Sequence, residues 1–305
     1  MLGEIFYWVL NLSILGSVTG LIVLLLRRVR SLPRFLVYAL WTLPLLRLLM
    51  PAGFASRYSL LSFISRYATK TVVVWEARDG FPGMTMSNTI QAAERYFPIE
   101  FKTDLLEDIF NIAGLVWIIV AAAAVLCSAL LYVVTKSALK GAVHIKDNIY
   151  RSDKVLSPAV YGIIEPKIIL PAGIADTDCI LLHERVHVRR RDNLWRVLAV
   201  LTACVHWFNP LVWIFLKCFF ADMELACDAG VLKKLDDDER KTYASALLAC
   251  SAGKTYYASA FGGAKTRLRI ENILSYKKLT LVSGICFAVL FAAVAVTLIT
   301  NAAGG

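Results

Sequence analysis

The stretch Cys179-Ile-Leu-Leu-His-Glu-Arg-Val-His-Val-Arg189 decides how the rest of the chain is read. Within it stands His183-Glu184-x-x-His187. On a helix, positions i and i+4 lie on one face, one turn apart. Two imidazoles so placed can grip one zinc ion, and the glutamate between them is positioned to take a proton from water activated by that ion. The spacing therefore points to metal-assisted peptide hydrolysis. The helix is expected to begin near Ala175, with Asp176 or Thr177 as its cap, since a short side-chain oxygen there satisfies an orphan backbone N–H.

Reading outward, that helix continues past Leu194 to about Val205, where Trp207-Phe-Asn-Pro210 breaks it. A second helix is expected from Leu211 to Leu235. It carries Glu224-Leu-Ala-Cys-Asp228, whose two carboxylates share a face. Folding the helices back at Phe208 brings Glu224 within about one helical turn of His187. Zinc would then have His183, His187 and Glu224, leaving a fourth position for water, which is the catalytic arrangement. Glu165 and Asp192 are rivals for the third ligand; Glu165 lies in a strand-like region, and Asp192 lies five residues past His187, off the metal face. Asp228 is placed to accept the second ring proton of a ligand histidine. His206, beside Trp207 and Phe208, reads first as structural and second as a possible oxyanion stabiliser.

The chain has 305 residues, a net charge of +10 and 58% hydrophobic residues. That apolar content exceeds the usual range of soluble domains, and uncharged runs hold it. Ile5 to Leu26 is long enough to cross a bilayer core of about 30 Å. Its basic residues, Arg27, Arg28 and Arg30, follow the run, which argues for a retained helix against a cleaved signal peptide. Residues 35–50 form a shorter second span, interrupted by Pro44 and by Arg47, which would snorkel. Residues 109–134 and 279–299 are the third and fourth. Basic flanks stay in the cytoplasm, and Arg27 to Arg34, Lys136 with Lys140, and Lys277-Lys278 agree on one topology. Both termini then lie outside.

Four membrane helices in residues 1–134 and 279–299 thus bracket a cytoplasmic domain, residues 135–278, of about 140 residues, enough for one fold. A short tail, residues 300–305, follows the last span. Residues 51–108 make an extracytoplasmic loop, with a strand expected at Val72-Val-Val-Trp75 and a turn at Asp79 to Gly83. The cytoplasmic domain opens with strand candidates at Val143 to Lys146, Val160 to Ile164 and Lys167 to Leu170, the last bracketed by Pro166 and Pro171 as an edge strand would be. It then turns helical, giving an inserted α+β domain in a mainly α membrane protein. The seven cysteines show no CxxC spacing, so neither a cysteine-based zinc site nor a redox pair is indicated. Arg189-Arg-Arg191 reads as a solvated or lipid-headgroup face, not a nucleic-acid site. The apolar hairpin from Leu194 to Phe220 has arms too short to cross alone, so its tip is expected to dip into the bilayer.

Taken together, Ser157-Pro-Ala-Val-Tyr-Gly162, Pro166-Lys-Ile-Ile-Leu-Pro171, His183-Glu-x-x-His187 with Arg191-Asp192, His206-Trp-Phe-Asn-Pro210 and Glu224-Leu-Ala-Cys-Asp228 resemble the bacterial membrane metalloproteases of the BlaR/MecR antirepressor type. The resemblance covers essentially the whole chain. It implies a gluzincin-like fold with zinc on His183, His187 and Glu224, and Glu184 as base. It also implies a place in the bacterial plasma membrane with the active site on the cytoplasmic side. The strand at Ile168 to Leu170 would pair with an extended substrate. By the same resemblance the substrate would be a transcriptional repressor or the chain itself, cut near Ala260-Phe261. A form without the C-terminal penicillin-binding sensor domain is expected from a sequence that ends at Gly305.

Other expected partners are membrane lipid and a second copy in a homodimer, with no direct nucleic acid. Two alternative functions stand beside the regulatory protease. One is a housekeeping protease that degrades damaged membrane proteins. The other is a non-enzymatic signalling scaffold that senses through residues 51–108.

Overall fold

The computed structural model describes residues 2–29, 31–50, 52–60, 84–86, 103–155, 157–172, 178–251, 266–276 and 280–302. The expected strand at Val72 to Trp75, the turn at Asp79 to Gly83, the cap at Asp176 or Thr177 and the cleavage site at Ala260-Phe261 lie outside the described residues. What is described is mainly helical. The chain runs through α1 (Leu2–Leu26), α2 (Arg34–Leu40), α3 (Thr42–Leu49), β1 (Ala52–Ser56), β2 (Met84–Met86) and α4 (Thr103–Ala138). It continues through β3 (Val143–Lys146), β4 (Ile149–Ser152), β5 (Ala159–Tyr161) and β6 (Lys167–Pro171). Then come α5 (Asp178–Arg190), α6 (Asp192–Val205), α7 (Pro210–Leu232), α8 (Asp237–Ser251), α9 (Thr266–Leu274), α10 (Leu281–Ile299) and β7 (Asn301–Ala302).

Among the described residues, three helices are long and apolar enough to cross a membrane: α1, α4 and α10. Helices α4 and α10 are largely uncovered, with Ile112, Leu126, Leu281 and Val289 all more than 60% exposed. An uncovered apolar surface of that extent marks a face made for lipid or another apolar partner. The expected second span is instead two short helices, α2 and α3, joined at Trp41. Neither is long enough to cross alone. Arg47, expected to snorkel, is buried and donates to the Ile299 carbonyl at 3.0 Å.

Helix α7 lies alongside α1 and runs in the same direction. Asn209 donates to Ser13 and Ser17 at 2.7 Å. Further along, the Phe215 ring lies against Gly20, where a Cβ would sit 2.2 Å from the ring edge. Further still, Arg27 Nε donates to Asp222 at 2.7 Å, and Trp41 Nε1 donates to the same oxygen at 2.8 Å. The first half of α7 is therefore level with the apolar length of α1, and Asp222 is level with its basic end. Val23, Leu40, Trp41, Leu43, Val212, Phe215, Leu216 and Phe219 form one core at this junction.

Beyond it lies a four-stranded mixed sheet in the order β3-β4-β6-β5. Strand β6 pairs in parallel with β4 and antiparallel with β5. The edge position expected for Ile168 to Leu170 is corrected: β6 is interior and those residues are buried. Ile168 and Leu170 pack with Ile149 and Val160 against Ile180, Leu181 and Val188 of α5, which draws the strand inward. The edge on that side is β5. On its other flank α5 packs through Val186 against Cys227, Val231, Tyr243 and Ile273. Helix α5 is thus wedged between the sheet and a three-helix cluster of α7, α8 and α9.

Candidate metal centre

Sequence spacing puts His183 and His187 one turn apart on α5, and the structure brings their Nε2 atoms to 3.2 Å. Both side chains are buried. Each ring is held from behind. His187 Nδ1 donates to Asp192 Oδ2 at 2.6 Å. Tyr243 donates its hydroxyl proton to Asp228 Oδ1 at 2.6 Å, so its oxygen accepts from His183 Nδ1 at 2.8 Å. Asp228 itself lies 3.4 Å from His183 Nδ1. With both outer nitrogens occupied as donors, both Nε2 lone pairs are left facing forward.

Glu224 faces that pair from α7, with Oε2 3.6 Å from His183 Nε2 and Oε1 3.7 Å from His187 Nε2. Arg196 of α6 donates to Oε1 at 2.8 Å. Glu184 is buried between the histidines on α5 and makes no hydrogen bond or ion pair among the described residues. Cys227 is a further neighbour, its Sγ within 4.8 Å of a nitrogen of each histidine. That sulfur lies behind the rings, 3.6 Å from His183 Nδ1, and donates to the His183 carbonyl at 3.4 Å. His183, His187 and Cys227 form a buried cluster able to hold a metal ion, and Glu224 closes the forward side.

The electrostatics favour a cation. Burial opposes charge on His183, but Cys227, Tyr243 and Asp228 outweigh it and raise the imidazole well above its ordinary value. Burial likewise opposes charge on His187, outweighed by Cys227, Glu224 and Asp192. For Glu224, burial pulls upward, but His187, His183 and Arg269 hold the carboxyl well below the usual range. Tetrahedral zinc with Zn–N bonds of about 2.0–2.1 Å sets its two nitrogens roughly 3.4 Å apart. The Nε2 separation and the facing carboxylate fit such an ion.

The expected single helix from Ala175 to Val205 is corrected: it breaks at Arg191, whose φ of 55° is left-handed. The break turns Asp192 back toward His187, where a straight helix would have carried it off the metal face. The strain is held by what surrounds it. Arg190 stacks over Tyr38 at 4.3 Å, Tyr38 donates to Asp192 at 3.2 Å, and Asn193 donates to the Val160 and Gly162 carbonyls on the open edge of β5. A cavity of about 460 Å³ opens along that edge beside His187, lined by Val160, Ile163, Ile164, Val188 and Leu194.

His206 is not at this site. It lies at the far end of α6, about 20 Å from Asp192 by helical rise, buried with Nε2 3.1 Å from the Leu48 carbonyl. That distance removes it as an oxyanion stabiliser. Glu165 lies outside the cluster too, in the turn after β5. Sequence reading missed Tyr243, Arg269, Arg196 and Cys227 and took Asp192 only as a rival ligand. Tyr243 and Arg269 lie far down the chain, with no short motif to announce them.

Residues 7–273 match the family described as BlaR1 peptidase M56. The regulatory protein BlaR1 of Bacillus licheniformis is 40% identical over 110 residues, 34% of this chain and 18% of the relative. The methicillin resistance mecR1 protein of Staphylococcus aureus is 32% identical over 112 residues, 35% of this chain and 19% of the relative. The regulatory protein BlaR1 of Staphylococcus aureus is 24% identical over 274 residues, 77% of this chain and 45% of the relative. The chain thus spans less than half the length of these relatives. With its apolar helices, its buried histidine cluster and a match over most of its length, the chain belongs to the BlaR1 peptidase M56 family.

Proposed function

We propose that the chain is an integral-membrane zinc endopeptidase that cuts peptide bonds just under the cytoplasmic membrane face. The observation that carries this is the pair of Nε2 atoms 3.2 Å apart, each oriented from behind and faced by one carboxylate. His183, His187 and Glu224 would hold the ion, with Asp192 and Asp228 orienting the rings. Glu224 is preferred over Cys227 because its oxygens lie on the Nε2 side. When bound, zinc would lower the pKa of a water toward about 7 and polarise the scissile carbonyl. Glu184 takes the proton of the attacking water as its oxygen bonds to the carbonyl carbon. It delivers that proton to the amine nitrogen as the C–N bond breaks.

The site lies close to the bilayer because Asp222, two residues before Glu224, pairs with Arg27 at the end of α1. Arg27, Arg28 and the basic flanks of the other spans support a cytoplasmic place for that end. In this reading α1, the α2–α3 pair, α4 and α10 make four crossings in a bacterial plasma membrane, with both termini outside. Residues 135–278 form the inserted protease domain. The extended substrate would lie along the β5 edge in the cavity beside His187, instead of on β6. Regulatory relatives favour a signalling role, with a transcriptional repressor or the chain's own Ala260-Phe261 bond as substrate.

The test compares bacteria expressing the wild type with bacteria expressing Glu184→Gln. The variant should keep one zinc per chain and lose proteolysis, so that a protein cut only in wild-type cells identifies the substrate. Intact-mass measurement of both purified chains reads the Ala260-Phe261 cut in the same samples. Full proteolysis by Glu184→Gln would end this reading.

A further inference from the structure

Arg269 reaches the metal centre from α9, the helix furthest along the chain to do so. Its side chain is 14% exposed. Nε donates to Asp228 Oδ2 at 2.8 Å and Nη2 donates to Oδ1 at 2.6 Å, a bidentate fork that fixes the guanidinium plane. Nη2 also approaches His183 Nε2 at 3.4 Å. Nη1 stands 3.6 Å from Glu224 Oε2 and makes no hydrogen bond among the described residues. A fixed positive charge with two unspent N–H donors therefore lies at the rim of the ligand set. Arg196 spends Nη2 on Glu224 and Nε on the Met223 sulfur. Arg196 also leaves its Nη1 without a hydrogen bond among the described residues, but its side chain is 37% exposed against 14% for Arg269, and it lacks a bidentate carboxylate to fix its plane. The Tyr243 proton is spent on Asp228. His206 lies at the other end of α6.

Resting on the peptidase reading above, we propose that Arg269 is the catalytic residue that stabilises the oxyanion of peptide hydrolysis. When water adds to the scissile carbonyl carbon, the C=O electron pair moves onto oxygen. Arg269 Nη1 donates to that oxygen. The pair returns as the C–N bond breaks and the amine leaves with the proton held by Glu184. A preorganised donor is worth most where charge develops and water is scarce, and the Asp228 fork supplies the preorganisation. Asp228 thus serves two groups, His183 through Tyr243 and Arg269 directly.

The experiment uses the full chain, purified in detergent and loaded with zinc. Two probes are titrated calorimetrically: a phosphinic tripeptide that mimics the tetrahedral geometry, and the amide of the same sequence in a Glu184→Gln background. Arg269→Lys keeps a charge for Asp228 but loses the planar fork. Arg269→Gln removes the guanidinium and its charge but keeps an amide donor for Asp228, which stays in place behind His183. Both variants should keep one zinc per chain and bind the amide within about threefold of wild type, while phosphinic affinity and kcat/KM fall together by about 100-fold. Unchanged phosphinic affinity would overturn the role, and so would equal losses for both probes, since a merely structural arginine does not distinguish them. A wild-type chain that holds zinc but binds neither probe overturns the peptidase reading itself, a result visible before any variant is made.

Discussion

His187 and Asp192 are five residues apart in sequence, belong to different helices, and meet at 2.6 Å between Nδ1 and Oδ2. The carboxylate fixes the ring so that Nε2 faces the site. Asp192→Asn keeps the shape but loses the charge-assisted bond. We expect metal affinity to fall by about 10- to 100-fold, the usual effect of removing such an outer partner. Competition against a chelator measures it.

Glu224 and Cys227 give different answers on removal. Glu224→Ala should lose more metal affinity than Asp192→Asn, because it deletes a ligand. Cys227→Ser should leave stoichiometric metal and cost stability instead, roughly 1–3 kcal/mol, by burying a hydroxyl in an apolar cluster. Metal content and thermal unfolding of the two variants decide between the two third ligands.

Arg191 is the hinge of the metal helix. Its φ of 55° is open to glycine, and its backbone N–H donates to Val188 at 3.1 Å. Arg191→Gly should change stability by less than about 1 kcal/mol, relief of the left-handed strain offsetting the added chain entropy. Arg191→Pro cannot reach that φ and removes the donor. It should cost about 3 kcal/mol or more and weaken metal binding with it, since Asp192 is aimed by the break. Chemical denaturation and metal competition read the two effects separately.

Gly162 follows β5 with a φ of +98°, and a Cβ there would meet the Glu165 carbonyl at 2.5 Å. Its own carbonyl is one of the two that Asn193 holds. Gly162→Ala should destabilise the protein by about 1–3 kcal/mol. It should also raise KM for peptides more than it lowers kcat, because it displaces the substrate edge and leaves the metal ligands in place.

The parts of the fold that a short pattern encodes were readable from the sequence. The three long apolar runs and the i, i+4 pairs at His183/His187 and Glu224/Asp228 need only helical geometry. What the sequence hid was tertiary. Nothing local marks Arg191 as a break: it is neither glycine nor asparagine, and contacts of Tyr38, Asp192 and Asn193 hold it. The two prolines around Lys167 to Leu170 suggested an edge, but the apolar face of α5 pulled that strand to the interior. Arg47 looked like a snorkelling residue only until the Ile299 carbonyl appeared beside it. Tyr243 and Arg269 were invisible because their partners lie 15 or more residues away.

Helix α9 stands between the proposed cleavage site and the apolar helix α10, and it delivers Arg269 to ligands that all precede that site. A cut at Ala260-Phe261 would therefore yield two polypeptides sharing one active site, the first with the metal ligands and the second with the arginine. Only noncovalent forces would then join them, among them the Asp228 fork, the burial of Ile273 among Val186, Val231 and Tyr243, and the Arg47 bond to the Ile299 carbonyl. Such a cut does not by itself disassemble the enzyme. It converts a covalent part into a dissociable one, so that the lifetime of activity after cutting becomes the residence time of the fragment that carries α9 and α10.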